Sequence, residues 1–388
     1  MDNVTHTLFA LTLARTRLGR GGRGTTPALV VASNAPDIDI VATLGGGANY
    51  LAWHRGPTHG LIGIVGLGLV TAGLVWIGRR VLDSMRPEPE RRPLGIEPGD
   101  GRSWDARSGG PMRLNLDRSA DAPFTTLLLA SLVGVLAHIL MDLPTSYGTR
   151  LLSPFSWRWY AADLLPIVDI YLWIVLAAGL VLGRRSADAG RRWAATALVF
   201  MAVNYGGRAI AHQQALNLAD RLFGATLPPP CDSLASGSLV EAWPRTVASR
   251  GAGAPCTADT AALPIFLSPF QWRVIRRLPD AYWVYDVDIL DRAPSSARSG
   301  GRGVMMANLW TPDVLEAATT RTVQAFLGFS RFPAAAVSFD PGRITTVRFT
   351  DLRFAVIDLD RDVRRPAPFT LTVRFGPDHQ ILQERLGN

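Results

Sequence analysis

Residues 60–78 read GLIGIVGLGLVTAGLVWIG, a run that contains no charged side chain. A helix rises about 1.5 Å per residue, so a run of this length can cross the roughly 30 Å hydrocarbon core of a bilayer. Arg79 and Arg80 end the run. A second run, residues 122–141 (APFTTLLLASLVGVLAHILM), has the same character and ends at Asp142. These two runs predict a helical domain that spans a membrane.

Further apolar runs extend this domain on both sides. Residues 164–183 and 193–218 are each long enough to cross a bilayer, although the second is weaker. Two shorter runs, residues 4–14 and 27–41, predict an N-terminal helical hairpin. The sequence therefore predicts an α-helical membrane domain over residues 1–218, with about four long spans plus the N-terminal helical hairpin.

The rest of the chain has a different character. Residues 79–121 are rich in Arg, Pro, Gly and Asp without hydrophobic periodicity, which predicts a disordered loop inside the helical domain. Beyond residue 218, short runs rich in Val, Thr, Tyr, Phe and Trp alternate with Gly, Pro and Asp clusters, which indicates strands. One helical stretch, residues 312–327, lies among them. We expect residues 228–388 to form a β-rich α+β extramembrane domain.

The overall composition agrees with a membrane protein and excludes several other classes. Of the 388 residues, 48% are hydrophobic and only 19% are charged, below the roughly 25% charged residues of typical soluble proteins. A disordered chain and a coiled coil are both excluded. The net charge is +8, but the chain has no lysine and its 40 basic residues are arginines scattered along it. We therefore expect no nucleic-acid partner.

The placement of the arginines predicts an orientation in the membrane. The positive-inside rule places residues 79–121 and 184–192 in the cytoplasm. The opposite, outer face then collects most of the ionisable residues near the span ends, namely His6, His54, His59, His138, His212, Asp2, Asp37, Asp39, Asp142, Asp163 and Asp169. Ionisable groups at membrane depth are costly, so such a gathering suggests a functional site. The C-terminal domain is expected on the same outer face.

The sharpest of these signals is His138-Ile-Leu-Met-Asp142. Positions i and i+4 lie on one face of a helix, so a histidine nitrogen and a carboxylate oxygen would point toward one divalent metal. Two more motifs carry donors of the same kind, His54-Arg55-Gly56-Pro57-Thr58-His59 and Pro36-Asp37-Ile38-Asp39. Each signal alone also fits a hydrogen-bonded core histidine or a turn at a helix end. Their gathering on one face favours a metal site.

Together these motifs resemble the YdjM-like family of membrane-bound, metal-dependent hydrolases. The resemblance also rests on Asp2…Thr5-His6, on Thr145-Ser146-Tyr147-Gly148-Thr149 after the His-x-x-x-Asp motif, on Leu152-Ser153-Pro154-Phe155-Ser156 and on Pro269-Phe270-Gln271-Trp272. It covers most of the chain outside residues 79–121 and implies a multi-pass protein of the bacterial inner membrane. One departure is Gly60, where relatives usually have serine, and we expect it to have little consequence.

The resemblance implies a divalent metal, zinc or alternatively manganese, and a set of seven donors: His6, Asp37, Asp39, His54, His59, His138 and Asp142. Seven donors exceed the needs of one tetrahedral zinc, so two ions are expected if all of them bind. The metal would activate water against a phosphoester or lipid-type substrate, with Asp37 or Asp39 as general base. Arg55 and Arg150 would hold the anionic group, although both also fit interfacial anchors.

Several aromatic residues and the two cysteines leave alternatives open. Tyr147, Trp157, Trp159 and Tyr160 fit an aromatic belt at the membrane interface, or the lining of a lipid-facing cleft. Cys231 and Cys256, the two cysteines of the chain, could pair on an oxidising outer face or stay reduced.

Two functions from different classes remain. The first is a membrane-embedded metal-dependent hydrolase that acts on a phosphoester or lipid-type substrate, and the surplus of donors favours it. The second is a non-catalytic membrane protein whose metal is structural and whose C-terminal domain binds a partner. The large C-terminal domain without a chemical motif of its own keeps this alternative open. The lipid bilayer is a partner in both, and the sequence sets neither the substrate nor the oligomeric state.

Overall fold

The computed structural model describes residues 1–85, 120–223, 228, 240–244, 256–290, 303–358, 363–365 and 369–387. Most of the predicted disordered loop at 79–121 lies outside these residues, but the helix of the first long run continues past Arg79 and Arg80 to Ser84. Cys231 also lies outside them, whereas Cys256 is disulfide-bonded. The domain boundaries at 218 and 228 stay a prediction.

The described amino-terminal part of the chain is helical. Its α-helices are α1 (Asn3–Ala14), α2 (Thr25–Ala32), α3 (Gly47–Trp53), α4 (Leu61–Ser84), α5 (Phe124–Asp142), α6 (Ile170–Leu182) and α7 (Ala187–Phe223). Three 3₁₀ segments connect several of them, Arg17–Arg20, Ala35–Gly45 and Pro57–His59. The first helix starts where the Asp2 carboxylate accepts a hydrogen bond from the backbone nitrogen of Thr5 at 3.0 Å, a helix cap that satisfies one of the unpaired amides.

Three helical stretches of the described chain are long and apolar enough to cross a membrane, namely Thr25–Gly45, Leu61–Ser84 and Phe124–Asp142. The run at 27–41, predicted as half of a hairpin, thus lies in a candidate span of its own. The run at 164–183 forms a helix of only 13 residues. Asp169 sets its start by accepting hydrogen bonds from the backbone nitrogens of Tyr171 and Leu172. The predicted count of four long spans is not confirmed.

The C-terminal part is rich in antiparallel strands. Its strands, with β1 contributed by the amino-terminal part, are β1 (Trp159–Ala161), β2 (Glu241–Trp243), β3 (Asp259–Pro264), β4 (Gln271–Arg277), β5 (Ala281–Asp288), β6 (Gly303–Ala307), β7 (Pro333–Asp340), β8 (Ile344–Asp351), β9 (Val356–Asp358), β10 (Val363–Arg365), β11 (Thr370–Phe375) and β12 (Ile381–Leu386). Two four-stranded sheets have the orders β3-β4-β5-β6 and β12-β11-β8-β7. The helical stretch predicted at 312–327 is two helices, α8 (Pro312–Ala317) and α9 (Arg321–Phe329), because the Thr320 side chain caps a new helix.

Helix α7 contains the weakest predicted span, residues 193–218, which is not among the candidate spans of the described chain because polar residues such as Asn204 and Arg208 dilute its apolar ones. The helix runs for 37 residues. Near its end, Ala211, Ala215 and Ala219 are buried and pack in one cluster with Trp272 and Tyr285 of the first sheet. The small residues let the helix approach the sheet closely, so this face is covered by protein rather than by lipid.

The helical and β-rich parts share one hydrophobic core. Strand β1 pairs with β2 in antiparallel register, and the stacked rings of Trp159 and Trp243 lie 6.0 Å apart between centroids. The Tyr147 ring packs 5.3 Å from Phe329 of α9. Gly148 adopts a φ of +83°, and a Cβ there would lie 2.5 Å from Trp243, so only glycine fits. Tyr147 and Trp159 are thus buried core residues, which rules out for these two the aromatic belt that was one of the two alternatives.

A buried ion cluster crosses the same boundary. The Arg331 guanidinium lies 2.6 Å from an Asp163 oxygen, and it binds both Asp259 oxygens at 3.1 Å. Asp163 belongs to the loop before α6 and Asp259 to β3. Burial alone would lower the pKa of Arg331, but Asp259 and Asp163 together raise that pKa above its usual value. Arg331 therefore keeps its charge, and its hydrogen bonds tie the loop to the first sheet.

Candidate metal centre

Two overlapping groups of histidine and aspartate side chains could hold a metal ion. They are His6, Asp37 and His138, and His59, His138 and Asp142, with the donor atoms of each group all within 4.8 Å of one another. The donors come from α1, from the 3₁₀ segments Ala35–Gly45 and Pro57–His59, and from the last turn of α5. The structure thus brings together five of the seven donors that the resemblance implies.

The second group has the dimensions of a ligand set. The separations between His59 Nε2, His138 Nε2 and one Asp142 oxygen are 3.2, 3.2 and 3.4 Å. Two ligands at about 2.0–2.1 Å from one tetrahedral zinc lie about 3.4 Å apart. The His138–Asp142 contact is the i, i+4 contact that the sequence spacing predicts.

Hydrogen bonds on the far side of the rings fix which nitrogens face the group. His138 Nδ1 lies 2.8 Å from the Ser33 carbonyl oxygen, which can only accept, so this nitrogen carries the proton and Nε2 presents its lone pair. His59 Nδ1 lies 3.1 Å from the Thr58 hydroxyl and 3.6 Å from the Asp39 carboxylate, which favours the same tautomer. Two bare nitrogens 3.2 Å apart repel each other unless a cation binds both.

His6 and Asp142 supply further evidence that the donor set fits a cation. Neither nitrogen of His6 has a hydrogen-bond partner among the described residues, although both are buried. The buried Asp142 carboxylate lies 3.1 Å from an Arg55 nitrogen. The His6 ring stacks on His138 with centroids 3.8 Å apart, and its Nε2 lies 3.6 Å from Asp142. Asp142 also contacts the Met1 amino nitrogen. Unpartnered buried polar atoms cost about 1–3 kcal/mol each, a cost that a bound cation would remove.

Asp37 is the donor of the two groups that is partly exposed at the surface. One of its oxygens lies 3.6 Å from His138 Nε2 and 3.7 Å from His59 Nε2. Its side chain is 20% exposed, whereas the side chains of His59 and Asp142 are completely buried. His138 belongs to both groups, and its Nε2 lone pair can bind only one ion. The two groups therefore describe one cluster of donors. The occupancy by two ions stays a prediction.

Asp39 and His54, the remaining predicted donors, lie outside both groups. Successive residues of a 3₁₀ helix are about 120° apart, so Asp37 and Asp39 point in different directions. The Asp39 carboxylate contacts His54 Nδ1 at 3.2 Å and accepts from the backbone nitrogen of Arg55 at 2.6 Å. His54 Nε2 lies 3.1 Å from the Tyr50 hydroxyl. Burial lowers the pKa of both His54 and His59, so both rings are neutral near neutral pH.

Arg55 connects the centre to the loop that follows α5. Its φ of +50° is strained for a residue with a side chain, which is common at functional sites. One of its nitrogens lies 3.1 Å from Asp142, and another donates to the Gly148 carbonyl oxygen at 2.8 Å. Burial lowers the pKa of the guanidinium. Its predicted role in holding an anionic group stays a prediction.

Arg150, the second arginine predicted to hold an anion, has a different environment. Its side chain donates to the carbonyl oxygens of Leu51 and Ala52, and it lies over the Trp159 ring at 4.5 Å. Burial lowers its pKa to about 10. These contacts connect α3 to the shared core, and they give Arg150 a structural role.

Tyr147 is a residue at the centre whose position the sequence did not reveal. Its ring lies 5.4 Å from the His54 ring and 4.6 Å below the Arg55 guanidinium. Arg353 of the C-terminal part donates to the carbonyl oxygens of Ser146 and Tyr147 at 3.2 and 3.0 Å. The one available signal was its place in the Thr145–Thr149 motif after Asp142. The C-terminal part thus fixes the loop that covers His54 and Arg55.

The structure gives Gly60 a consequence that the sequence did not suggest. A Cβ at this position would lie 2.2 Å from the Ser153 carbonyl oxygen. We expect Gly60→Ser to lower the free energy of unfolding by about 1–3 kcal/mol, the usual cost of overpacking. Thermal unfolding in detergent would measure it against Gly66→Ser, whose Cβ would have no neighbour within 4 Å. Equal stabilities of the two variants would show that the backbone at Ser153 moves to make room for the serine side chain.

Comparisons with known proteins add to this geometry. A family model described as YdjM inner membrane protein matches residues 1–215, more than half of the chain. The uncharacterized protein YfhP of Bacillus subtilis (strain 168) is 24% identical over 190 residues, which cover 47% of this chain and 46% of YfhP. The match therefore spans about half the length of that relative. No solved structure matches the chain.

Proposed function

The chain belongs to the YdjM family of inner membrane proteins, and from this premise we propose that it is a metal-dependent hydrolase that cleaves a phosphoester. The observation that carries the proposal is the pair of donor groups that share His138, with two buried His6 nitrogens that have no hydrogen-bond partner among the described residues. Imidazole and carboxylate donors suit zinc, and manganese is the alternative. A divalent ion bound there would supply Lewis acidity to the phosphoester and lower the pKa of water.

The roles of the chain's own residues follow from their positions. His59, His138 and Asp142 hold the ion, with His6 as a further ligand. Asp37 is the partly exposed carboxylate beside them, so it is placed to take a proton from the attacking water. Water would add to phosphorus as Asp37 takes its proton, the bond to the leaving oxygen would break, and that oxygen would take up a proton to leave as an alcohol, with the phosphate group of the substrate as the other product.

Asp39 and Arg55 act around this centre. Asp39 holds His54 and the Arg55 backbone, and it faces Nδ1 of His59. This contact orients the ring of a ligand, a function that outer partners of metal sites commonly serve. Arg55 lies against Asp142 and keeps a positive charge near the place where the phosphoester oxygens would lie.

The burial of one group favours a second candidate, a non-catalytic protein with a structural metal. His59, His138 and Asp142 are all buried, and closed sites are typical of structural zinc. In this case the C-terminal part would bind a partner.

We expect Asp37→Asn to separate the two candidates. The variant should keep most of its bound metal and lose at least about 100-fold in hydrolysis of bis(p-nitrophenyl) phosphate, because a general base contributes about 10²–10⁴-fold. Elemental mass spectrometry and absorbance at the nitrophenolate band are the measurements. Asp188→Asn, in the exposed first turn of α7, is the matched control. Metal bound to the wild type without hydrolysis of any phosphoester tested would favour the structural candidate.

A further inference from the structure

The route by which a substrate could reach the centre is restricted on one side. On the side of the C-terminal part, Tyr147, Leu51 and Trp159 are buried in the shared core. This layer covers His54 and Arg55, which are themselves nearly inaccessible. Asp37 remains the most accessible donor of the two groups in the described chain.

The segment that carries Asp37 presents an apolar surface beside it. Ala35–Gly45 is a 3₁₀ helix, in which residues three apart share a face. Pro36 and Asp39, on one face, point inward and are covered. Ile38, Val41 and Leu44 lie on another face and are 58%, 56% and 88% exposed. We call these three residues the outer stripe.

Exposed aliphatic side chains also lie near the donors of the other segments. Val4 near His6, Leu61 near His59 and Leu140 between His138 and Asp142 are all exposed aliphatic side chains. An exposed aliphatic side chain forgoes about 1.5–3 kcal/mol of burial free energy in water. Soluble proteins rarely leave such a surface contiguous. Here the outer stripe lies in the candidate span Thr25–Gly45, and Leu61 and Leu140 lie in the spans Leu61–Ser84 and Phe124–Asp142, so the bilayer would cover this surface.

From this arrangement we propose that the centre opens toward the bilayer and that its substrate is a membrane phospholipid, with its phosphoester at Asp37 and its acyl chains along the outer stripe. This inference rests on the proposed function, and it adds the class of substrate and its route. A phospholipid fits both features of the opening, since its headgroup carries the phosphoester and its chains match aliphatic side chains. A water-soluble phosphoester would gain nothing from the outer stripe.

The orientation of the opening can be tested without any activity. The described residues contain no free cysteine, so nitroxide labels can be placed at Val41→Cys and Leu44→Cys in phospholipid nanodiscs. We expect collisions with oxygen to exceed collisions with a water-soluble nickel complex at both positions. Phe339→Cys, at a 77% exposed position on β7, should give the reverse. Water-like accessibility at Val41 and Leu44 would overturn the inference.

The class of substrate needs a second measurement. The ratio of dioleoyl phosphatidylglycerol cleavage to bis(p-nitrophenyl) phosphate cleavage should fall at least tenfold in the Ile38→Ser/Val41→Ser double variant. Leu82→Ser, an equally exposed aliphatic position at the far end of α4, is the matched control. Cleavage of the soluble diester without any cleavage of phospholipid would overturn the inference and leave the proposed function intact. Cleavage of neither would overturn the proposed function, whatever the nitroxide labels report.

Discussion

Replacing His138 with alanine is expected to strip the protein of its bound divalent ion. His138 belongs to both donor groups, so its loss leaves neither group with three ligands. Loss of an outer partner of a metal ligand already costs about 10–100-fold in affinity, and loss of a shared ligand should cost more. Elemental mass spectrometry of the purified protein, together with a zinc titration against a chelating dye, would measure the loss.

Two further variants make this result decisive. His379→Ala removes an exposed histidine that pairs with Glu316, and it should leave the metal content unchanged. Asp142→Asn preserves the shape of a second ligand but removes its charge, so it should also lose metal. This variant tests the centre independently if the His138 variant folds poorly. Metal retained at wild-type stoichiometry in both site variants would remove the basis of the proposed centre.

Replacing Arg331 with methionine should be the most destabilising change in the boundary between the two parts. The substitution leaves Asp163 and Asp259 buried without their shared cation. Breaking a buried ion pair by removing one partner costs about 3–5 kcal/mol, because a charge stays buried and uncompensated. Unfolding in mixed detergent micelles, followed by tryptophan fluorescence, would measure the free energy.

A second arginine–aspartate pair in the C-terminal part is a control that shows how much of the loss comes from burial of the charges. Arg273 and Asp286 form a similar two-point contact at 2.8 and 3.0 Å, but they lie within one sheet and are partly exposed. Arg273→Met should cost about 1 kcal/mol or less. Equal losses in the two variants would show that the Arg331 cluster contributes no more than a surface pair.

The spans that the sequence predicts well are those whose composition alone decides their environment. The runs at 60–78 and 122–141 are uncharged over a full bilayer thickness, and both form candidate spans. The run at 193–218 has a similar share of apolar residues, but its alanines pack on Trp272 and Tyr285, more than fifty residues away in sequence. Such a long-range contact has no local signal, and the predicted span at 193–218 is not confirmed among the described residues.

The same distinction applies to the centre. The His138–Asp142 contact follows from helix periodicity and is visible in the sequence. The different directions of Asp37 and Asp39 depend on a 3₁₀ segment where an α-helix or turn was equally plausible. The position of Tyr147 depends on Arg353, which is about 200 residues later in the chain. The composition around Tyr147 fits a membrane belt, so only the tertiary contact could place it.

The contact between Arg353 and the Tyr147 loop also sets the order of events during biosynthesis. At about 5–20 residues per second, a ribosome needs about 10–40 s to travel from Tyr147 to Arg353. During that interval the candidate spans are already made, but the loop over His54 and Arg55 lacks the hydrogen bonds that Arg353 donates. The donors of the centre are therefore synthesised well before the hydrogen bonds from Arg353 can hold the loop that covers His54 and Arg55.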